Sequence, residues 1–273
     1  MTRGTWHPAS LPALFLSLMA GLGSVAPSFA QPLALPPAQP LVYGFEVLEK
    51  IPHPRENFIQ GLQLRDGEII IGTGLHGESR LRVYDFPSME LEREVELAPE
   101  LFGEGVTRVD DRLYQLTWKA GKLLIYDANS LELLETASID TDGWGLTHDG
   151  EQLIYSDGSA SLHFLNTDDF SVERHLLVTI GGRPLPRLNE LEYIDGEIWA
   201  NVWQANQLVR IDPRSGVVTG IVDLRGLLDP AEREPDTDVL NGIAWDADAR
   251  ALWVTGKRWP WLYRLRIFAR PAA

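Results

Sequence analysis

The chain has 273 residues, no cysteine and a formal net charge of −15 at pH 7. A surface this acidic argues against nucleic acid and anionic lipid as partners, because both carry the same sign of charge. Without cysteine, an exported chain must rely on burial of apolar surface rather than on disulfides for its stability.

Residues 1–30 have the pattern of a secretory signal peptide. Arg3 precedes an apolar stretch from Leu11 to Val25, and small residues up to Ala30 form a cleavage signature. The apolar stretch is too short and interrupted for a membrane span, so stable membrane insertion is not expected. We expect cleavage near Ala30, export to the periplasm or secretion, and a proline-rich lead over residues 31–40.

From residue 41 to residue 273 the chain reads as one domain with an internal repeat. Five times, a polar or aromatic residue opens an apolar strand, and a second strand ends eleven residues later. Turn residues separate strand-length runs, and no helical stretch intervenes. The strands open at Leu62, Val106, Leu146, Leu191 and Ile243, each followed by the next after 40 to 52 residues. This period suits four strands per unit and predicts an all-β, five-bladed β-propeller.

Two details of the repeat lead to further expectations. The last unit is one strand short, and Leu41 to Ile51 reads as an N-terminal strand that closes the last blade. Most strand openings also carry a glycine, and these glycines are expected in tight turns. They are Gly61, Gly105, Gly145 and Gly242.

The repeat also predicts where a site lies. In a propeller, the residues before each first strand and those ending each second strand meet at one mouth of the central channel. The first set is Gln60, Glu104, Trp144, Asn189 and Asn241, and the second is His76, Trp118, Asp157, Trp203 and Lys257. Tryptophans beside a few polar groups predict a concave site with an aromatic wall. Glu104 and Lys257 stand out, because a charge in a crowded channel needs a partner or a function.

Ordered motifs around these positions carry a family resemblance. They include Phe58-Ile59-Gln60-Gly61-Leu62, Phe102-Gly103-Glu104-Gly105, Gly143-Trp144-Gly145-Leu146-Thr147, Leu188-Asn189-Glu190-Leu191-Glu192, Trp199-Ala200-Asn201-Val202-Trp203, Leu240-Asn241-Gly242-Ile243-Ala244 and Thr255-Gly256-Lys257-Arg258-Trp259-Pro260. From about Tyr43 to Ile267 the chain resembles the plant and bacterial glutaminyl cyclases, or glutamine cyclotransferases. The resemblance implies a five-bladed propeller that converts N-terminal glutamine of peptides or proteins to pyroglutamate and releases ammonia. It implies no catalytic metal or other cofactor, and the histidines show no metal-binding spacing.

The resemblance also implies residue roles. Glu104 would shuttle a proton from the attacking α-amine to the departing amide nitrogen, for which burial should raise its pKa. Lys257 and Asn189 would hold the substrate and its developing oxyanion. The implied substrate-binding residues are Gln60, Trp118, Trp144, Trp203 and Asn241. We expect the protein to be a monomer and its site to bind no metal ion.

One segment departs from the family pattern. Where the family often has a glutamate, this chain has Ile71. If that glutamate contacts the substrate amine, affinity or substrate choice would differ. Glu78 is near enough along the chain to compensate, although it reads as a solvated loop residue.

The residues alone leave two other functional classes open. A calcium-dependent hydrolase of the lactonase type would gather oxygen ligands from Glu104, Asn189, Asp157 and Asn241. Five repeats, a lysine in the same pocket and the tryptophans argue against it. A non-catalytic periplasmic binding propeller would keep the pocket without releasing ammonia, and the segment around Ile71 lends it support.

Overall fold

The computed structural model describes residues 39–270, which are almost entirely β-sheet. In this range the one helix is a single 3-10 turn, Pro230–Glu232. None of the described helical structure is long and apolar enough to cross a membrane. The predicted signal peptide and most of the proline-rich lead lie outside the described residues.

The strands form groups of four that follow the sequence repeat. After β1 (Leu41–Pro52), the first sheet contains β2 (Ile59–Arg65), β3 (Glu68–Thr73), β4 (Arg80–Asp85) and β5 (Leu91–Glu96). The second contains β6 (Gly103–Val109), β7 (Arg112–Thr117), β8 (Lys122–Asp127) and β9 (Leu133–Ser138). The third contains β10 (Leu146–His148), β11 (Gln152–Ser156), β12 (Ser161–Asn166) and β13 (Val172–Leu177), followed by a small hairpin of β14 (Thr179–Ile180) and β15 (Arg183–Pro184).

The remaining strands form one eight-stranded sheet. Its strands are β16 (Leu188–Ile194), β17 (Glu197–Val202), β18 (Gln207–Ile211), β19 (Val218–Asp223), β20 (Leu240–Asp246), β21 (Ala251–Gly256) and β22 (Trp261–Ala269), together with β1. The N-terminal strand β1 pairs antiparallel with β22 from Tyr43 to Pro52 and touches β19 by a short parallel pairing. Strands from the two ends of the described chain therefore pair with each other.

The first strand of each repeat unit lies innermost, and these five strands contact one another in cyclic order. They are β2, β6, β10, β16 and β20. β2 contacts β6, β6 contacts β10, β10 contacts β16, β16 contacts β20, and β20 contacts β2. β2 is buried along nearly its whole length, whereas the outer strands β5 and β9 are largely exposed. Apolar clusters fill the space between neighbouring groups, such as the one joining Ile59 and Leu62 to Trp253. The architecture is all-β and propeller-like.

Close contact between the inner strands explains several glycines. The tight-turn prediction is wrong for Gly61, Gly105 and Gly242, which lie within β2, β6 and β20. A Cβ on Gly105 would lie 2.4 Å from the amide nitrogen of Leu146, and one on Gly145 would lie 2.0 Å from the carbonyl oxygen of Asn189. These positions require glycine because the neighbouring backbone leaves no room for a side chain.

Candidate active site

Four inner strands begin with an irregular register. The pairing shifts between Ile59 and Gly61 in β2, between Gly103 and Val106 in β6, between Leu188 and Leu191 in β16, and between Leu240 and Ile243 in β20. The shifted segments contain Gln60, Glu104, Asn189 and Asn241. A bulge breaks the alternation of side chains and redirects one of them. These predicted site residues therefore lie where the strands depart from regular pleating.

A cavity of about 330 Å³ lies at this end of the inner strands. Seven of the ten predicted mouth residues line it: Gln60, Glu104, Trp118, Trp144, Asn189, Trp203 and Lys257. The other lining residues are Phe58, Leu75, Phe102 and Asp238. Backbone hydrogen bonds hold the wall, since Trp118 donates its N–H to Phe102 and Lys257 donates its N–H to Val239. The structure thus brings residues of three inner strands, β2, β6 and β16, to one cavity with side chains from the loops.

Three predicted mouth residues are not part of the cavity lining. Asn241 is fully buried, and its side-chain amide donates to the carbonyl oxygen of Ile59 at 3.0 Å. Asp157 is hydrogen-bonded to the ring of His163 at 2.9 Å. His76 packs edge-on against Phe102, with ring centroids 5.5 Å apart. The substrate-binding role of Asn241 stays a prediction, and its observed contact ties β20 to β2.

The oxygen-only cation site of the lactonase alternative does not assemble. Of its four proposed ligands, Asp157 and Asn241 do not line the cavity, and Asp157 pairs with His163 instead. Glu104 and Asn189 alone remain in the cavity. Across residues 39–270, no group of three or more His, Asp or Glu side chains is arranged to hold a metal ion.

Aromatic rings form two walls of the cavity. On one side Phe102 packs edge-on against Trp118 at 5.4 Å and against Phe58 at 6.4 Å. On the other side Trp144 and Trp203 meet at 5.7 Å with nearly perpendicular rings. Sequence reasoning assigned no role to the two phenylalanines. Phe58 lies two residues before Gln60, and Phe102 lies two residues before Glu104. This spacing is the feature of the sequence that could have indicated a role for the two phenylalanines.

The two charged groups in the cavity are both strongly desolvated. Glu104 is 4% exposed, and burial raises its pKa well above 4.5, although Lys257 acts in the opposite direction. Burial lowers the pKa of Lys257 below 10.5, while Glu104 and Asp238 oppose that shift. The Lys257 ammonium lies 4.9 Å from the ring centroid of Phe58. Both shifts favour the uncharged forms of the two groups.

Several polar atoms of the cavity residues are left without a hydrogen-bond partner. Gln60 donates its amide to Glu104 Oε1 at 3.3 Å. Within residues 39–270, however, Gln60 Oε1, Asn189 Oδ1 and Trp144 Nε1 are buried and have no partner. Buried polar atoms are rarely left unpaired in proteins. The arrangement therefore offers two acceptors and one donor to a bound molecule.

Position 71 is not part of this cavity. Ile71 is fully buried in an apolar cluster with Ile59 and Leu62, so its side chain belongs to the core. Glu78 lies on a loop with its side chain 69% exposed. The departure from the family pattern therefore lies in the apolar core and outside the cavity lining.

Sequence reasoning also missed Glu190, which lies next to Asn189 in the bulge of β16. Its carboxyl oxygens accept the backbone N–H groups of Leu62 at 3.3 Å and of Ile243 at 2.8 Å. Glu190 is fully buried, and burial raises its pKa well above 4.5. It joins three inner strands behind the cavity. Two acidic residues, Glu190 and Glu192, in one buried strand were the sequence signal.

Comparisons with known proteins agree on one family. A family model described as glutamine cyclotransferase matches residues 16–267. A curated glutaminyl-peptide cyclotransferase of Arabidopsis thaliana is 39% identical over 228 residues, which is 81% of this chain and 71% of the relative. The crystal structure of Myxococcus xanthus glutaminyl cyclase superposes with a TM-score of 0.78 at 31% identity, covering 85% of this chain and all of that one. The chain belongs to the glutamine cyclotransferase family.

Proposed function

We propose that this protein is a glutaminyl-peptide cyclotransferase, which converts the N-terminal glutamine of a peptide or protein to pyroglutamate and releases ammonia. The observation that carries the proposal is Glu104, a buried carboxyl of raised pKa at the centre of an aromatic cavity. The family supports it, as does the name of the Arabidopsis relative.

The unpaired atoms of the cavity complement a glutamine residue. Its carboxamide oxygen accepts hydrogen bonds, and its α-amine and amide nitrogen donate them. Trp144 Nε1 would donate to the carboxamide oxygen, while Gln60 Oε1 and Asn189 Oδ1 would accept from the two nitrogens. The tryptophan walls would enclose the aliphatic part and hold the chain bent for ring closure, which is a unimolecular step.

Glu104 would carry the proton through the reaction. The neutral α-amine attacks the carboxamide carbon, and a C–N bond forms as negative charge develops on the former carbonyl oxygen. Ionised Glu104 accepts one proton from the attacking nitrogen and returns it to the amide nitrogen, which leaves as ammonia. The Lys257 ammonium would stabilise the oxyanion. Protons balance across the cycle, and no metal ion takes part in this scheme.

We also propose that the five groups of four strands are five propeller blades, the last completed by β1. The cyclic contacts of the inner strands and the pairing of β1 with β22 support this arrangement. The pattern of residues 1–30 supports export of a mature, monomeric enzyme to the periplasm or beyond the cell. Its substrates would be exported peptides and proteins with N-terminal glutamine.

Ammonia release from a glutaminyl dipeptide tests the activity. The expected result is release that persists in the presence of a chelator and falls at least about 100-fold in Glu104→Gln, the usual scale for loss of a general acid–base. Glu78→Gln makes the same change on an exposed loop and should keep full activity. No release by the folded wild type, or equal release by Glu104→Gln, would contradict the proposal. Loss of release on chelation would reject the metal-independent scheme.

A further inference from the structure

A second cavity, of about 450 Å³, lies at the opposite ends of the inner strands. Its lining includes Arg65 and His148, the last residues of β2 and β10, and Asp246, the last residue of β20. The active-site cavity is lined instead by Gln60, near the start of β2. Five residues of extended strand separate Gln60 from Arg65, which is roughly 17 Å. The two cavities are therefore distinct.

The side chain of Glu192 is a buried carboxyl in the wall of this second cavity. It is 7% exposed, and its Oε1 accepts the backbone N–H of Trp245 at 3.1 Å. Among residues 39–270, no hydrogen bond reaches its second oxygen. This oxygen is not among the buried unpaired atoms of the described residues, so it is open to the cavity. An unused oxygen on a cavity wall points to a ligand with a hydrogen-bond donor.

His148 supplies a second unpaired acceptor. Its Nδ1 is buried and has no hydrogen-bond partner within the described part of the chain. Burial, assisted by Arg65, lowers the pKa of His148 below 6.5, so that the ring is neutral near pH 7 and one ring nitrogen can accept. Neither Glu192 nor His148 takes part in the proposed cyclisation.

The remaining lining favours a cation with an apolar body. Acidic groups at Asp66, Asp246 and Asp248 outnumber the one guanidinium, that of Arg65. That guanidinium is already engaged, since it donates to the carbonyl oxygen of Arg108 at 3.1 Å and lies 3.7 Å from Asp66. The aromatic side chains of the lining are Phe86, Tyr193 and Trp245. Aromatic faces attract organic cations.

We propose that this cavity is a second ligand site, which binds an organic primary ammonium ion. Glu192 in its ionised form and His148 would accept the ammonium N–H groups, and Tyr193 and Trp245 would contact the alkyl part. The chemistry fits an alkylamine, a lysine side chain or a peptide α-ammonium group. Because it uses residues at the other ends of the strands, the site is independent of the proposed cyclase activity.

Calorimetric titration of the full chain with n-butylammonium chloride at about pH 9, where Glu192 has lost its proton and the amine keeps its own, tests the site. Glu192→Gln is the matched variant, because its side-chain oxygen can still accept from Trp245 while its amide presents N–H groups to the ligand. We expect binding about tenfold weaker or more in Glu192→Gln, the scale of one charge-assisted hydrogen bond. Glu104→Gln, which alters the carboxyl of the active-site cavity, should bind as the wild type does. Tetramethylammonium, which lacks N–H donors, should bind more weakly than n-butylammonium.

Three results would overturn the proposal. They are no saturable binding by the wild type, equal affinity in Glu192→Gln, and loss of binding in Glu104→Gln alone, which would place the amine in the active-site cavity. His148→Leu decides the matter if Glu192→Gln fails to fold. Weaker binding in that variant supports the site, and wild-type affinity contradicts it.

Discussion

Glu192→Gln should change how the stability of the protein depends on pH. Burial raises the pKa of Glu192 from 4.5 to about 8, while the hydrogen bond from Trp245 opposes the shift. Between these values the unfolded chain releases the proton and the folded protein keeps it, so stability is full below pH 4.5 and falls as pH rises toward 8. At about 1.4 kcal/mol per pH unit, this shift corresponds to roughly 5 kcal/mol by pH 8. Glutamine keeps the hydrogen bond to Trp245 and removes the titration.

Urea unfolding followed by tryptophan fluorescence at pH 5, 6, 7 and 8 measures this effect. The free energy of unfolding should decline less steeply for Glu192→Gln than for the wild type, with the gap widening toward pH 8. Glu192 also raises the pKa of the neighbouring Glu190, after burial, so Glu192→Gln weakens that shift too and changes the pH dependence in the same direction. Glu78→Gln removes an exposed carboxylate and controls for net charge. Parallel curves for the wild type and Glu192→Gln would refute the reasoning.

Three further predictions concern the cavity and its supports. The rate constant kcat/KM should rise with pH as Glu104 and the substrate amine lose protons. At higher pH it should decrease again as Lys257 loses its proton, and the midpoint of this decrease should lie below pH 10.5. A profile still rising above pH 10.5 would count against this assignment. Gly145→Ala places a Cβ 2.0 Å from the Asn189 carbonyl oxygen, so we expect a loss of about 1–3 kcal/mol in urea unfolding together with a raised KM, and unchanged values would contradict the close-contact argument. Ile71→Glu buries an unpaired carboxylate, so it should cost about 3–5 kcal/mol without lowering KM, and a lowered KM would restore a substrate role to position 71.

The strands were predictable from the sequence because their signals are local. The second unit illustrates this, since turn residues at Asp110-Asp111 and Ala120-Gly121 separate apolar runs that became β6, β7 and β8. Site positions followed from the repeat, which places equivalent residues of each unit at the same end of the ring. Glu104 and Lys257 could therefore be assigned to one cavity although 153 positions separate them in the chain.

What the sequence did not reveal depends on contacts between units. The role of Glu190 requires knowing that Leu62 of β2 and Ile243 of β20 lie next to it. Gly105 reads as a turn residue until Leu146 is placed against it. Ile71 could be assigned to the core only once its neighbours on other strands were known. Each of these depends on packing between strands that are distant along the chain, and no local pattern reports it.

The bulges of the inner strands affect both the contacts that hold these strands together and the orientation of the site residues. In β16 the same irregular segment carries Asn189, which lines the cavity, and Glu190, which binds backbone N–H groups of two other inner strands. Displacing one residue of this segment must move the other. Buried carboxyls and unpaired polar atoms destabilise the folded chain, yet the proposed reaction needs them. The apolar clusters between the strand groups therefore have to supply enough stability to hold a desolvated site in place.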